Sequence, residues 1–385
     1  MTTIPADIDQ DVLDAHVARL FADLSAGYGG VMVSIGTRLG LYAAMAGQGA
    51  PSAPEVAARA GCAERYAREW LNSQRYLVYH ASRERYELTP ESALVLADAD
   101  SPVFLPHAWQ VVASMWADEE RAADTMRTGE GVPWGEHDRR LYCGVAAFFR
   151  NGYAAKLVLH WLPAFDGVVE RLARGARIAD VGCGHGHSTL LMARAYLRSR
   201  FFGYDTHQGS IDEARRLAAA AGLADRVSFE RADSESYRER ELDLICFFDC
   251  RPDMGHPVRA ARHARSALVR DGSVMFVEPT AGDRVEDNIN PVGRQRRQQD
   301  PSAALERVAR SSMRSSWRRA WPIAFGTKHG ASPVAQRIRP AASLRIHRAA
   351  SVAERSAPAG SRPCMRSLSH WSRTVLARVK ALEIR

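Results

Sequence analysis

From residue 177 onward, short apolar runs alternate with longer stretches whose apolar positions recur every three or four residues, and each short run stops at an acid. Ile178-Ala179 precedes Asp180, Phe201-Phe202-Gly203-Tyr204 precedes Asp205, and Arg226–Glu230 leads into Ala232-Asp233-Ser234. Leu242–Phe248 then precedes Asp249, and Ser273–Val277 precedes Glu278. Short apolar runs bounded by turn residues predict strands, and a 3.6-residue period predicts helices, here over Ser188–Leu197, Ile211–Ala221 and Pro257–Val269. Their alternation predicts βαβ units and a parallel sheet covered on both faces. Leu242–Phe248 is the most continuously apolar of these runs, as a central strand buried on both sides must be.

Towards the N-terminus the pattern is helical. Helices are predicted over Ala15–Ala26 and Val31–Ala46, then over Glu55–Ala60 between a Pro-rich turn and Gly61, and over Ala63–Gln74. Two strand-like runs, Tyr76–Tyr79 and Tyr86–Leu88, flank the charged turn Arg83-Glu84-Arg85. Helix, turn, helix and hairpin together predict a winged helix. Its second helix and the turn after it carry Glu64, Arg65, Arg68, Glu69 and Arg75, which nearly balance rather than giving the basic face that DNA needs. Residues 103–165 form a further helical stretch rich in aromatics, among them Trp134, Tyr142, Phe149 and Tyr153.

The candidate chemistry lies in Asp180-Val-Gly-Cys-Gly-His-Gly186, where three glycines at alternate positions follow a strand and open a helix. Residues without a Cβ let the backbone turn sharply and come close to a ligand. A dinucleotide loop reads GxGxxG, with a helix N-terminus facing the pyrophosphate. Here the third glycine comes one residue early and an acid precedes the first, which suits a cationic rather than a phosphorylated ligand. This DxGxGxG pattern, with the acids that close the later strands, resembles the class I S-adenosylmethionine (SAM) dependent methyltransferases.

The resemblance covers about residues 20–294 and implies an α/β protein, a Rossmann-like doubly wound sheet preceded by a mainly α winged-helix-like domain. It implies that Asp180, Gly182, Gly184 and Gly186 hold the methionine end of SAM, Asp205 the ribose, and Asp233 with Ser234 the adenine, while Asp249 borders the reacting centre. It further implies a small-molecule acceptor, an aromatic helical segment lining the acceptor pocket, and an N-terminal domain that pairs two subunits into a homodimer. His137 is the candidate base in the aromatic segment. Related O-methyltransferases carry a base His just after the fourth strand in a Leu-His-Asp pattern, whereas this chain has Pro252 there, which argues against that route to oxygen methylation.

Charge changes the picture only at the C-terminal end. The 385-residue chain has a formal net charge of +8, yet residues 295–385 alone hold 19 Lys+Arg against 4 Asp+Glu, so the remainder is acidic. Beyond Arg294 the chain becomes Arg-, Ser- and Ala-rich without helix or strand period, as a GC-rich gene reads out of frame; a genuine basic disordered tail is the rival reading. Five strands are readable, so the last two of a seven-stranded sheet are expected to be missing and one edge left bare. The six cysteines form no CxxC pair, and the chain has neither an 18-residue apolar run nor a leader, so a reduced, cytoplasmic protein without membrane or specific nucleic-acid partners is expected.

The expected division is a winged-helix-like dimerisation domain at 1–98, a helical linker at 99–165, a SAM-binding domain at 166–294 and an Arg-rich tail at 295–385. Two other functional classes fit the same residues: an inactive SAM-binding product of a disrupted gene, and a winged-helix DNA-binding regulator.

Overall fold

The computed structural model describes residues 7–250, 253–278, 284–286, 289 and 378–383. The Arg251-Pro252 departure and nearly all of the Arg-rich tail therefore lie outside the described residues.

The chain opens with one long helix, α1 (Gln10–Arg38), capped by the Asp9 carboxylate, which accepts from Val12 N–H. The apolar spacing predicted two separate helices here, and the glycines between them each weaken a helix interior by about 1 kcal/mol relative to alanine. Tertiary packing overrides that cost: a Cβ on Gly30 would lie 2.2 Å from the Trp109 ring, and one on Gly36 would lie 2.4 Å from Trp70. The glycines let these two indoles lie against the helix backbone.

Next come α2 (Leu41–Met45), α3 (Ala53–Ala60) and α4 (Glu64–Ser73), followed by the hairpin β1 (Val78–His80) and β2 (Arg85–Glu87). Ser52 and Glu55 form a capping box that starts α3, and left-handed Gly61 ends it. Tyr42, Met45, Val56, Trp70 and Leu71 form the core of this winged helix, and the Trp70 indole donates to the Met32 carbonyl at 2.8 Å.

Helices α5 (Pro90–Leu96), α6 (Ala108–Ala117), α7 (Glu119–Thr128), α8 (Arg140–Lys156) and α9 (Val168–Arg174) lead to the sheet. There β3 (Arg177–Val181), α10 (His187–Ala195), β4 (Arg200–Asp205), α11 (Gln208–Ala220), β5 (Val227–Arg231), β6 (Leu242–Phe248), α12 (Pro257–Ala267) and β7 (Leu268–Glu278) alternate as the hydrophobic pattern requires. The order is β5-β4-β3-β6-β7, all parallel, with two buried clusters on opposite faces.

The expectation of a bare edge needs correction. A sixth strand, β8 (Arg378–Glu383), runs antiparallel along β7 from Ser273↔Glu383 to Glu278↔Arg378. Backbone pairing needs only an extended segment of suitable length, so no motif announced this one.

Candidate functional site

The strand order reverses direction between β3 and β6, and the carboxyl ends of the strands there open into a cavity of about 400 Å³. Open parallel sheets bind ligands at such a switch point because the connections leave it in opposite directions. The glycine loop forms the floor. Gly182, Gly184 and Gly186 all have positive φ, at 77°, 51° and 74°. A Cβ on Gly182 would lie 2.5 Å from Cys250 and one on Gly186 2.5 Å from the Phe229 ring, so these two glycines are fixed by packing. A Cβ on Gly184 would meet open space, which marks the side from which a ligand can reach the backbone.

Asp205 closes β4 and holds this loop. Its Oδ2 accepts from Gly184 N–H and its Oδ1 from His207 N–H, both at 2.9 Å. The carboxylate thus takes the loop amide that a pyrophosphate would require. Asp205, Asp233, Ser234 and Asp249 line the cavity together with Gly182 and Gly184.

Three of the expected residues do not line it. Gly186 sits beneath Phe229. Asp180 is fully buried, and its Oδ2 accepts from the Ser188 and Thr189 hydroxyls, both at 2.6 Å, which ties the glycine strand to the first turn of α10. Its Oδ1 has no hydrogen-bond partner among the described residues, and burial pushes the carboxyl up to about 6. His137 is turned to Asp118, with Nδ1 2.9 Å from the carboxylate, and it is the neighbouring Trp134 that reaches the cavity.

The opposite wall comes from α8. Tyr142, Val145, Ala146, Phe149 and Tyr153 lie on one helical face and line the cavity, with Phe248 at the tip of β6 meeting Tyr153 at 5.4 Å between ring centres. Sequence reasoning picked out these aromatics but missed their partners. His185, inside the glycine motif, and His187, directly after it, both line the cavity, and burial lowers both, His187 to about 4. Arg259 also lines it, paired with Glu235 at 2.6 Å. Only the placement of α12 beside the loop after β5 reveals that pair.

Comparison with known proteins agrees with this architecture. Residues 27–98 match the Rv2258c-like winged HTH domain and residues 178–272 the methyltransferase domain. A trans-aconitate 2-methyltransferase of Methylobacterium nodulans is 42% identical over 75 residues, 19% of this chain and 27% of that protein. The match thus spans about a quarter of that relative's length.

Among solved structures, an O-methyltransferase of Nostoc punctiforme superposes with a TM-score of 0.58 at 18% identity, covering 78% of this chain and 92% of that one. The mitomycin 7-O-methyltransferase gives 0.56 at 17% identity, covering 76% and 87%. The chain therefore joins a winged-helix domain to a class I methyltransferase fold.

Proposed function

We propose that this protein transfers a methyl group from SAM to a small-molecule acceptor. The observation that carries the reading is the glycine loop with Asp205 in its amide: a Cβ-free approach to the backbone, closed to pyrophosphate and walled by carboxylates. In this reading Gly182 and Gly184 face the methionine end, Asp205 takes the ribose hydroxyls, and Asp233 with Ser234 faces the adenine. Asp180 acts from behind the loop, its unpartnered Oδ1 adding negative potential for the cationic amino end.

SAM supplies a methyl group already activated on a sulfonium. The chain's own contribution is position: the α8 face and Phe248 orient the acceptor for in-line attack and exclude water. His137 serves as an anchor that fixes the loop carrying Trp134, rather than as the base.

The four-part division of the chain and a homodimer belong to the same proposal. Val17, Leu20, Phe21, Leu24 and Tyr28 form an exposed apolar stripe along α1, which a second copy of the helix would cover. The exposed side of α4 pairs Arg68 with Glu64, so the winged helix is read as scaffold rather than as a DNA reader.

Calorimetry on the full-length protein tests the function. Micromolar binding of SAM or its demethylated product, lost in Asp205→Ala, is expected; a folded wild-type protein that binds neither would sink the assignment.

A further inference from the structure

Trp134 lines the cavity together with Asp205 and Thr206, yet it belongs neither to the sheet nor to an α-helix. It opens a single 3-10 turn, Trp134–Glu136, in the connection between α7 and α8. The two ends of this connection are held very differently.

The C-terminal end is tied down. His137 Nδ1 lies 2.9 Å from the Asp118 carboxylate, and Asp138 N–H donates to the same group at 3.0 Å. His137 and Asp118 are both largely buried, and Arg121 donates to the Glu136 carbonyl. Hydrogen bonds to a carboxylate sheltered from water are among the stronger ones a loop can make. The N-terminal end is slack. Helix α7 stops at Gly129, whose φ is 77°, and residues 129–131 are exposed. A Cβ on Gly129 or Gly131 would meet nothing within 4 Å. Among the described residues, no backbone group accepts from the Gly131 or Val132 N–H.

The tip rests on the ring of His207. A Cβ on Gly135 would lie 3.0 Å from His207 Cδ2, so the turn backbone lies against the imidazole. The Tyr142 ring meets the same imidazole at 4.3 Å between centres. His207 is itself fixed: its Nδ1 accepts from Ser210 N–H at 3.3 Å as the cap of α11, and its own N–H donates to Asp205. Dispersion contacts such as the one beneath Gly135 are individually weak and fall away within a fraction of an ångström. Charge and hydrogen bonding thus hold one end of the connection, and contact alone holds the tip.

Gly135 fits the same account. It is not among the glycines with positive φ, so its backbone conformation does not call for glycine. What calls for it is the close approach to His207.

The seat lies two residues beyond Asp205, the carboxylate read above as the ribose ligand. We propose, resting on that methyltransferase reading, that residues 129–137 form a strap whose Trp134 indole covers the ribose side of the bound cofactor, and that the strap lifts off His207 to admit the cofactor and release its demethylated product. Seated, the indole excludes water and continues the wall that Tyr142 begins; lifted, it opens the cavity at Asp205. Gly129 and Gly131 absorb the backbone rotation, and the His137–Asp118 pair is the fixed end about which the tip moves.

The test is the rate of cofactor exchange in the full-length protein, followed by stopped flow with the demethylated cofactor, with thermal melts confirming that each variant is folded. Gly135→Val sets a branched side chain against the His207 ring and props the strap up with the indole still present, while Trp134→Ala removes the cover. Both variants are expected to raise association and dissociation rates together, by at least about tenfold, because a gate limits passage in both directions whereas a residue that only touches the ligand alters dissociation alone. In the wild type, the amides of residues 130–136 should exchange more slowly with the demethylated cofactor bound, and Gly135→Val should abolish that protection. Association rates unchanged in both variants, or no protection of these amides on binding, would overturn the strap and leave the methyltransferase reading standing. A folded wild-type protein that binds no cofactor would remove that reading and the strap with it.

Discussion

Asp180 opens the glycine motif and His187 directly follows it, and burial perturbs them in opposite ways for stability. The Asp180 carboxyl is raised from 3.8 to about 6, so the stability it contributes is complete below its unfolded value and is lost as pH rises to about 6. The His187 imidazole is lowered from 6.5 to about 4, so its contribution is complete above 6.5 and is lost as pH falls to about 4. Each amounts to about 3 kcal/mol at most, by the conversion of pKa shift into free energy. Between pH 4 and 6.5 the two oppose each other, and the wild-type protein should show little net slope from this pair. Urea melts across that range should therefore gain a slope of one sign in His187→Gln and of the other in Asp180→Asn; unchanged slopes in both variants would refute the assignment. Cofactor binding adds a second readout. A cationic ligand favours ionised Asp180, so affinity should rise between pH 5 and 7 in the wild type and flatten in Asp180→Asn. The sequence alone showed Asp180 as a ligand carboxylate, because a motif reveals residue type and order but not that Ser188 and Thr189 already occupy one of its oxygens.

Among the elements, those with a strong period or a cap were legible: α3 with its Ser52–Glu55 box, β4 ending at Asp205, and the β6 run that stops one residue before Asp249. The join of two expected helices into α1 was not, because it depends on what packs against the glycines. That dependence is testable. Gly30→Ala puts a methyl 2.2 Å from the Trp109 ring, and overpacking of this kind costs about 1–3 kcal/mol. Gly27→Ala, where nothing lies within 4 Å, should stabilise by roughly 0.5–1 kcal/mol through helix propensity. Thermal melts that move both variants in the same direction would show that Trp109 does not pack on this helix. The face of α8 was half legible: its aromatics recur at helical spacing, but core and cavity walls carry the same periodicity. Only the geometry separates Tyr153, which lines the cavity, from Trp161, which is core.

For the whole molecule, the feature hardest to foresee is β8, about a hundred residues beyond β7 in sequence and paired with it by backbone alone. A parallel sheet that ended at β7 would expose unpaired N–H and C=O groups along a strand whose Ser273–Val277 segment is buried, an invitation to edge-to-edge association. If β8 supplies the cover, breaking it should drive self-association beyond the proposed dimer. Proline cannot donate to a ladder, and adjacent residues of a strand direct their N–H groups to opposite sides. Lys380→Pro and Ala381→Pro therefore test the edge as a pair: one removes a hydrogen bond to β7 and the other acts on the outer side. Hydrogen exchange of the Ser273–Glu278 amides should accelerate strongly in one variant and less in the other, and sedimentation should show larger species in the first. Wild-type amides in β7 that exchange like an exposed edge, with neither variant altering them, would remove β8 from the sheet. The tail would then lie outside the fold, as its Arg-rich composition suggested.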